Sequence, residues 1–321
     1  MKIVVLDGYT ENPGDLSWEA LAALGELHVY DRTKKEDIIK RIGDADIVIT
    51  NKTPIQKETF EASANIKMVA LLATGYDVVD IKEAANRNIP VCNVPAYGPY
   101  SVAQFAIALL LELCDHVGHH NQAVHEGAWE SCADWCFWEK PLMELQDKTM
   151  GIIGYGRIGQ TTGAIARAMG MKTIAYDRYH NPDLKDITYV EFDELCEQSD
   201  VIVLHCSLNE ENRGIINKKS IAKMKKTAII INNARGPLIN EEDLAEALNE
   251  GRIYAAGLDV VSVEPIEIDN PLLKARNCIL TPHMSWGSIE ARRRIMDMTV
   301  ENVESFINGT IKNCVNMEVE K

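Results

Sequence analysis

The sequence has no apolar stretch long enough to cross a membrane and no surplus of positive charge. A membrane-spanning helix needs about 20 predominantly apolar residues in a row, and no run in the 321 residues approaches that length. The chain carries 48 acidic residues against 33 lysines and arginines, which gives a net charge of −15. Such a surface repels nucleic acids and anionic lipids. We therefore expect neither nucleic acid nor a membrane as a partner, and any anionic substrate needs a locally basic pocket.

Targeting and metal-binding patterns are also missing. The first ten residues, MKIVVLDGYT, have no small-residue cleavage site and are typical of a first strand rather than a signal peptide. The eight cysteines are scattered, which predicts reduced, mostly structural thiols and a cytoplasmic protein. Four histidines and two cysteines crowd between positions 116 and 136. They form neither a C-x₂-C nor an H-E-x-x-H pattern, so we expect no metal site.

Short β-rich runs alternate with amphipathic segments through most of the chain. Strands are predicted at 2–7, 27–30, 46–50, 67–73 and 90–93, and again at 149–154, 172–177, 200–206, 228–232, 255–260 and 278–282. Because these runs are continuously apolar, they predict parallel sheets covered on both faces. One long helical pattern runs from 100 to about 126, and a final helix is predicted over 288–308. We expect two α/β domains, one formed by residues 1–99 plus 288–321 and the other by residues 100–287.

A glycine-rich loop follows the predicted strand 149–154. Gly154, Gly156 and Gly159 form a G-x-G-x-x-G pattern that opens a helix, and the next strand ends in Asp177. Three glycines in this pattern allow a tight turn, approach of a pyrophosphate and close helix–strand packing. The helix N-terminus offers free N–H groups to phosphates. Asp177 is placed to accept the ribose hydroxyls, which favours NAD over NADP, although Arg178 beside it weakens that preference.

Three side chains that suit carbonyl reduction follow later strands. Arg235 comes shortly after the run AIIIN, Glu264 after AAGLDV, and His283 after CILTP. Arginine binds a carboxylate through a planar fork, histidine exchanges protons near neutral pH, and a carboxylate can orient that histidine. An interface arginine, a loop-packing histidine and a surface glutamate would give the same pattern. Spacing alone does not decide between these interpretations.

Six segments, in order, resemble the NAD-dependent D-2-hydroxyacid dehydrogenase family over nearly the whole chain. They are LLATGYDVVDIKEAANRNIPVCNVPAYGPYSVAQFAIALLLEL, GIIGYGRIGQ…AYD, LHCSLNEENRGIIN, INNARGPLIN, GLDVVSVEP and TPHMSWGS. The resemblance implies two doubly wound parallel-sheet domains. A Rossmann-type NAD domain is expected to be inserted in a discontinuous, flavodoxin-like substrate domain.

The resemblance also implies roles for individual residues. Arg235 would bind the substrate carboxylate and carbonyl, His283 would act as the acid/base, and Glu264 would pair with His283. Further substrate contacts would come from Thr74, Gly75, Tyr76 and Tyr97. Asp259 would bind the nicotinamide carboxamide. The rest of the cofactor site would comprise Val78, Gly154, Tyr155, Gly156, Arg157, Ile158, Gly159, Asp177, Cys206, Ser207, Asn212, Ala234 and His283.

The expected reaction is reduction of a small 2-oxo acid to the D-2-hydroxy acid with NADH. The segment PHMSWGS, with Trp286 three residues after His283, resembles the members that act on hydroxypyruvate and D-glycerate, with glyoxylate also favoured. A dehydrogenase for D-lactate or a bulkier D-2-hydroxy acid is the alternative. An NADH-sensing interaction module without activity is a second one, disfavoured by the complete set of Arg235, Glu264 and His283. The family resemblance further implies a homodimer with the helix at 100–120 in its interface.

Overall fold

The computed structural model describes residues 1–317 and divides the chain into two compact units. One unit comprises Met1–Tyr97 together with the chain from Gly287 onward, and the other comprises Gly98–Trp286. Each unit has its own sheet, of five and seven strands respectively. We refer to them as the first and the second unit.

The first unit begins with alternating strands and short helices. Its elements are β1 (Lys2–Val5), α1 (Glu19–Ala22), β2 (Glu26–Val29), α2 (Ile38–Ile42, preceded by a 3₁₀ turn), β3 (Ile47–Thr50), α3 (Lys57–Ala62), β4 (Met68–Leu71), α4 (Ile81–Asn86) and β5 (Val91–Cys92). The five strands pair in parallel in the order β2-β1-β3-β4-β5. This is the flavodoxin-like order. All residues of β3 and β4 are buried, because helices cover both faces of a parallel sheet.

The second unit opens with two helices and continues with a seven-stranded sheet. Its elements are α5 (Pro99–Asp115), α6 (Val117–His125), β6 (Thr149–Ile153), α7 (Arg157–Ala168), β7 (Lys172–Tyr176), β8 (Thr188–Tyr189), α8 (Phe192–Gln198), β9 (Val201–Leu204), α9 (Lys218–Ile221), β10 (Ile229–Asn232), α10 (Glu241–Asn249), β11 (Ala255–Leu258) and β12 (Cys278–Leu280). Two 3₁₀ turns lie at Gly236–Leu238 and Pro271–Lys274. The chain then returns to the first unit in α11 (Ile289–Ile307).

The strand order of the second unit determines where a ligand binds. The order is β12-β11-β10-β9-β6-β7-β8, with every pair parallel. The chain therefore reverses direction across the sheet between β6 and β9, and ligands of doubly wound sheets bind at the carboxyl ends of strands at such a point. The predicted fold class is confirmed, and β8 is a short edge strand that the sequence pattern did not predict.

The single long helix predicted from 100 to about 126 is wrong. The structure has two helices, α5 and α6, which meet at a 56° bend. His116 lies between them with φ = +50°, in the left-handed region that ends a helix. Its ring is buried, and its Nε2 lies 3.4 Å from the hydroxyl of Tyr254. Val117 follows the break and is 63% exposed, although a continuous helix over 100–126 would place it on the same apolar face as Leu110 and Leu113.

Length and apolar character decide whether a helix of residues 1–317 can span a bilayer. No single helix there is both long and apolar enough to span a bilayer. The pair α5 and α6 reaches the required length and hydropathy only when taken together across their bend. Eight residues of α5 are buried, and six of them belong to a hydrophobic core cluster of the second unit, as in a core helix.

A buried charged cluster connects α11 to the loop after β1 in the first unit. The run EARRRIMD has the pattern of a solvated helix face, but that interpretation is wrong for Arg292, which is 7% exposed. Its guanidinium donates to both carboxylate oxygens of Asp15, at 2.7 and 2.6 Å, and to the carbonyl of Glu11 at 2.9 Å. The Glu11 carboxylate is fully buried, and within residues 1–317 neither of its oxygens has a hydrogen-bond partner. Burial therefore raises the pKa of Glu11 to about 8, although Arg292 opposes the shift.

Replacing Glu11 with glutamine is expected to remove a pH dependence of stability. A carboxyl whose pKa is raised in the folded state binds a proton that the unfolded chain has released, so stability falls with rising pH between about 4.5 and 8. At about 1.4 kcal/mol per pKa unit, the full effect is up to about 5 kcal/mol. Urea unfolding at about pH 5 and about pH 8.5 should show wild type losing stability relative to Glu11→Gln. Glu19→Gln, at an exposed position of α1, is the matched control and should behave like wild type. The same change in unfolding free energy between the two pH values in all three proteins would refute the assignment.

Candidate active site

The loop between β6 and α7 requires glycine at two of its three pattern positions. Gly154 has φ = +93°, and a Cβ there would lie 2.5 Å from the backbone nitrogen of Cys206. A Cβ on Gly159 would lie 2.3 Å from the carbonyl oxygen of Gly154. Gly156 faces open space, since a Cβ there would have nothing within 4 Å. The loop thus packs tightly on the protein side and leaves room for a phosphate at Gly156, so these residues fit a dinucleotide.

Asp177 lies directly after β7 and is held by the glycine loop. Its Oδ2 accepts a hydrogen bond of 2.6 Å from the backbone N–H of Tyr155, and its Oδ1 accepts one of 3.0 Å from the N–H of Tyr179. These bonds fix a carboxylate at the position where a dinucleotide fold holds the adenosine ribose. Tyr155 contributes its backbone, since its ring is buried and its hydroxyl accepts from Arg167 at 3.2 Å.

The other predicted cofactor residues of this region lie on the loops around the glycine turn. Arg157 and Ile158 begin α7, exposed and half-buried respectively. Beyond β9, Cys206 is half-buried and Ser207 is exposed. Asn212 closes that second loop, because its amide donates to the Ser207 carbonyl at 2.7 Å and to the Cys206 sulfur at 3.7 Å.

Arg235 follows β10, whose four residues are all buried. Asn232 closes the turn: its Nδ2 donates to the Arg235 carbonyl at 2.9 Å, and its Oδ1 accepts from the N–H of Ala234 at 3.1 Å. The half-buried guanidinium donates from Nη1 to the Ala234 carbonyl at 2.7 Å. A guanidinium carries five N–H donors, so this bond leaves donors for a carboxylate or a ketone.

His283 and Glu264 form a hydrogen-bonded pair. The Nδ1 atom of His283 lies 2.7 Å from Oε2 of Glu264, and both side chains are partly exposed, at 27% and 35%. The pairing leaves the Nε2 atom of the ring as the one that can face a substrate. The carbonyl of His283 accepts from the indole Nε1 of Trp286 at 2.9 Å, which fixes this indole beside the histidine.

The carboxylate of Asp259 organises the loop that carries His283. It is 1% exposed and follows β11. Its Oδ1 accepts from the Thr281 hydroxyl at 2.6 Å and from the N–H of Met284 at 2.9 Å. Its Oδ2 accepts from the N–H and hydroxyl of Ser285, and its carbonyl accepts from the N–H of His283 at 2.8 Å. His283 itself has φ = +52°, a conformation that this network holds in place. Contact between Asp259 and the nicotinamide carboxamide stays a prediction.

Two supporting residues were not assigned roles from the sequence. His205 follows β9 and donates to or accepts from the Thr162 hydroxyl of α7 at 2.8 Å, which connects the glycine-loop helix to the next strand. Burial lowers the pKa of His205 to about 3, so the ring is neutral. Asn233, beside Arg235, is 7% exposed and donates to the Val102 carbonyl at 2.8 Å and to Ser285 at 3.2 Å. Two asparagines at the end of an apolar strand could have indicated that Asn233 makes buried hydrogen bonds there.

The remaining predicted residues lie in the first unit. The loop after β4 contains Thr74, Gly75 and Tyr76, and the tyrosine is 41% exposed. The Thr74 hydroxyl donates to the Val94 carbonyl at 2.6 Å. Val78 packs against the hydrophobic core of this unit, and the carbonyl of Tyr97 accepts from Arg294 at 2.8 Å.

Residues 116–136 do not assemble a metal site in the structure. His119 pairs with Glu139 at 2.6 Å, and Nδ1 of His120 lies 2.9 Å from the His116 carbonyl. Within residues 1–317, no group of three or more histidine, cysteine, aspartate or glutamate side chains is placed to hold a metal ion.

The fold and the site define a nicotinamide-dependent oxidoreductase, and comparison with known families agrees. Residues 107–285 match the model for the NAD-binding domain of D-isomer specific 2-hydroxyacid dehydrogenases. The chain belongs to this family. It is an enzyme that interconverts 2-oxo acids and D-2-hydroxy acids, and its cofactor is NAD.

Individual relatives cover almost the whole chain. A hydroxypyruvate reductase from Blautia hydrogenotrophica is 63% identical over 98% of this chain and 100% of its own length. A glyoxylate reductase from Korarchaeum cryptofilum is 39% identical over 89% of this chain and 87% of its own length. Among solved structures, an acyclic imino acid reductase in complex with NADPH and D-Arg superposes with a TM-score of 0.87 at 33% identity, over 98% of this chain and 100% of that one.

Proposed function

We propose that this protein reduces hydroxypyruvate to D-glycerate with NADH and accepts glyoxylate as a second substrate. The observation that carries the proposal is the 63% identity with a hydroxypyruvate reductase over 98% of the chain. The similarity to a glyoxylate reductase, at 39% identity, supports the second substrate. Such a reduction needs a proton donor and a positive charge that binds the substrate. The His283–Glu264 pair can supply the first, and Arg235 can supply the second.

Arg235 is proposed to bind the substrate and to polarise its carbonyl. Its remaining N–H donors match the planar carboxylate of a 2-oxo acid, which a guanidinium binds through two parallel hydrogen bonds. A third donor directed at the keto oxygen would stabilise the negative charge that develops there during reduction. In a chain of net charge −15, this guanidinium also supplies the local positive charge that an anionic substrate requires.

His283 is proposed to donate the proton that completes the alcohol. The bound nicotinamide supplies the hydride to the keto carbon. Glu264 accepts from Nδ1 at 2.7 Å, so Nε2 is the ring atom that gives its proton to the keto oxygen, and in the reverse reaction removes it. The network around Asp259 keeps the ring in that orientation between turnovers.

The first unit is proposed to contribute further substrate contacts. Backbone N–H groups at Thr74, Gly75 and Tyr76 suit a carboxylate, because successive N–H groups in a loop form an anion-binding concavity. The bond from Thr74 to the Val94 carbonyl supports this role, since it holds the loop in one conformation. Tyr97 is proposed as an additional contact. The first unit would then correspond to the substrate domain that the sequence predicts at residues 1–99 and 288–321.

The substrate assignment is tested by NADH oxidation with a panel of 2-oxo acids of increasing size. The panel contains glyoxylate, hydroxypyruvate, pyruvate, phenylpyruvate and 2-oxoisocaproate. The indole of Trp286, fixed beside His283, supports a preference for the small members. We expect the highest kcat/KM with hydroxypyruvate and the lowest with phenylpyruvate and 2-oxoisocaproate. A reversed order would favour a dehydrogenase for bulkier acids, and NADH binding without any turnover would favour a sensor.

Replacing Asp177 with serine is expected to relax the choice of NADH over NADPH. The carboxylate repels the additional phosphate of NADPH, which carries about −1.5 to −2 charges as a phosphate monoester. Loss of this repulsion and of the ribose hydrogen bonds should shrink the NADH/NADPH ratio of kcat/KM by roughly 10- to 100-fold, or about 1.4–2.8 kcal/mol. Arg178 is already paired with Glu211 and Asn209, which supports a wild-type preference for NADH. Steady-state kinetics with both cofactors gives the ratio, with Asp183→Ser as control, and an unchanged ratio would refute the role.

Two copies of the chain are proposed to associate through the surface that begins at α5. Large apolar side chains of this region are exposed, which supports a covered surface: Tyr100, Val117, Trp129, Trp135, Trp138 and Leu142. Analytical ultracentrifugation should give twice the mass of 35.8 kDa, and a monomer at micromolar concentration would contradict the proposal.

A cytoplasmic location is also proposed, supported by the eight cysteines, which are all unpaired in the structure.

A further inference from the structure

The segment that follows α11 pairs with the edge strand β5 of the first unit. We call residues 312–316 the C-terminal strap. The N–H of Val315 donates to the Val91 carbonyl at 2.9 Å, and the N–H of Asn93 donates to the Asn313 carbonyl at 3.0 Å. Cys92 and Cys314 are the antiparallel partners between these two bonds. The strap thus adds a single antiparallel bridge to an otherwise parallel sheet, with two cysteines facing each other.

The hydrogen-bond pattern identifies Cys92 and Cys314 as a non-hydrogen-bonded pair. In such a pair the flanking residues make the bonds, the two Cα atoms lie about 4.5 Å apart, and the side chains approach more closely than in a hydrogen-bonded pair. Disulfides require Cα atoms about 4.4–6.8 Å apart and Cβ atoms about 3.5–4.5 Å apart. The pair therefore has a backbone geometry in which a disulfide can form without a rearrangement of the strands.

We propose that Cys92 and Cys314 are a redox-sensitive pair that hydrogen peroxide converts into a disulfide, which fixes the C-terminal strap covalently to β5. Neither cysteine belongs to the proposed reductase chemistry. Both lie in the first unit, whereas Arg235, Glu264 and His283 lie in the second. The six other cysteines have no cross-strand cysteine partner in the sheets of residues 1–317.

The two thiols are unequal in a way that suits stepwise oxidation. Cys92 is 1% exposed, whereas Cys314 is half-buried, so a small oxidant reaches Cys314 first. The neighbouring Cys92 thiol and nearby backbone N–H groups lower the pKa of Cys314 to about 6, although burial opposes the shift. The Cys314 sulfur also lies 3.3 Å from Oδ1 of Asn316, which accepts from its thiol form. The same contact and burial raise the pKa of Cys92, which stays protonated. Because a thiolate is the nucleophile, Cys314 is the attacking residue and Cys92 the resolving residue.

The reaction balances with peroxide as the only oxidant. The Cys314 thiolate attacks one peroxide oxygen, the O–O bond breaks, and Cys314 becomes a sulfenic acid while hydroxide leaves and is protonated to water. The Cys92 sulfur then attacks the Cys314 sulfur and displaces its hydroxyl, which takes the Cys92 proton and leaves as water. Two thiols and one peroxide thus give one disulfide and two water molecules. Each sulfur loses one electron, and the peroxide gains two.

The disulfide would fix a part of the first unit that continues into the loop after β4. Beyond β5, the Asn93 amide donates to the Thr74 carbonyl at 2.8 Å, and the N–H of Val94 donates to the Ala73 carbonyl at 3.0 Å. The strap is held on its other side by Asn302 of α11, whose Oδ1 accepts from Asn313 at 2.8 Å. Oxidation is therefore expected to slow amide exchange in residues 312–316 and in β5.

The test is peptide mapping of the intact wild-type protein after treatment with stoichiometric hydrogen peroxide at about pH 7, with free thiols then blocked by iodoacetamide. We expect one dominant cross-linked peptide that contains Cys92 and Cys314 and disappears on reduction with dithiothreitol. Before oxidation, iodoacetamide should label the half-buried Cys314 faster than Cys92, which is 1% exposed. Mass spectrometry measures these results without enzyme turnover, so their outcome does not depend on the proposed reductase activity.

Matched variants separate this pair from the other thiols. The Cys132→Ser/Cys136→Ser double variant keeps the cross-linked peptide, and Cys314→Ser loses it. In Cys92→Ala, the sulfenic acid on Cys314 has no resolving thiol and is trapped in greater yield by dimedone. The proposal is overturned if peroxide leaves Cys92 and Cys314 both free in wild type, or if Cys314 is oxidised to the sulfinic acid without a cross-link.

Discussion

The Arg235→Ala variant is expected to lower kcat/KM for hydroxypyruvate by roughly 10²- to 10⁴-fold while the affinity for NADH stays unchanged. In the proposed role of Arg235, the variant removes two charge-assisted hydrogen bonds to the carboxylate, each worth about 1.5–3 kcal/mol. Its polarisation of the keto oxygen is lost as well, so kcat should fall and KM should rise. NADH affinity should persist, because the glycine loop and Asp177 hold their geometry through bonds that do not involve Arg235. Stopped-flow or steady-state kinetics, with NADH titration by fluorescence, measures both quantities.

Two further variants refine the Arg235 test. Arg235→Lys keeps the charge but loses the planar fork, so it should recover only a small part of the lost activity. Arg276→Ala makes the same change of charge at an exposed position of the same unit and should match wild type. If Arg235→Ala weakened NADH binding and left hydroxypyruvate turnover intact, the residue would belong to the cofactor site instead.

Replacing His283 with alanine is expected to lower kcat by roughly 10²- to 10⁴-fold, the usual contribution of a positioned proton donor. The KM for hydroxypyruvate should change little, since Arg235 rather than His283 is proposed to bind the carboxylate. Glu264→Gln keeps a side chain near Nδ1 but not its charge, and its loss of kcat should be smaller. The double variant should be no slower than His283→Ala alone, because Glu264 is proposed to act on catalysis through the histidine, with which it bonds at 2.7 Å.

The exposed residue His125 provides the control for His283. His125→Ala removes an imidazole from the end of α6 and should leave kcat unchanged. Additive losses in the Glu264→Gln/His283→Ala double variant would show that Glu264 has a separate role. Wild-type kcat in His283→Ala would exclude His283 as the proton donor.

Most of the fold was predictable because buried parallel strands have a strong sequence signal. The four-residue runs of β9 and β10 are entirely buried and largely apolar, and each was located from its sequence alone. The glycine loop was predictable for a related reason, since only glycine fits where a Cβ would approach the Cys206 backbone within 2.5 Å. Such steric requirements act locally, so they are visible in the sequence.

Features that depend on distant partners were not predictable in this way. The break between α5 and α6 falls at His116, without a glycine or a proline at that position to mark it. Arg292 has the sequence pattern of a surface residue, and only the fold brings Asp15 to its guanidinium. The partners of Asp259 were missed for the same reason, because Thr281 and Ser285 come from a loop more than twenty residues away. These contacts join segments that no local pattern connects.

The most direct test of the central claim is the configuration of the product that the purified enzyme forms from hydroxypyruvate and NADH. If Arg235, His283 and the nicotinamide site act together as a D-2-hydroxyacid dehydrogenase, each NADH consumed should yield one D-glycerate, as resolved by chiral chromatography. The Arg235→Ala variant should yield almost none in the same assay. Formation of L-glycerate, or NADH binding with no glycerate at all, would contradict the account.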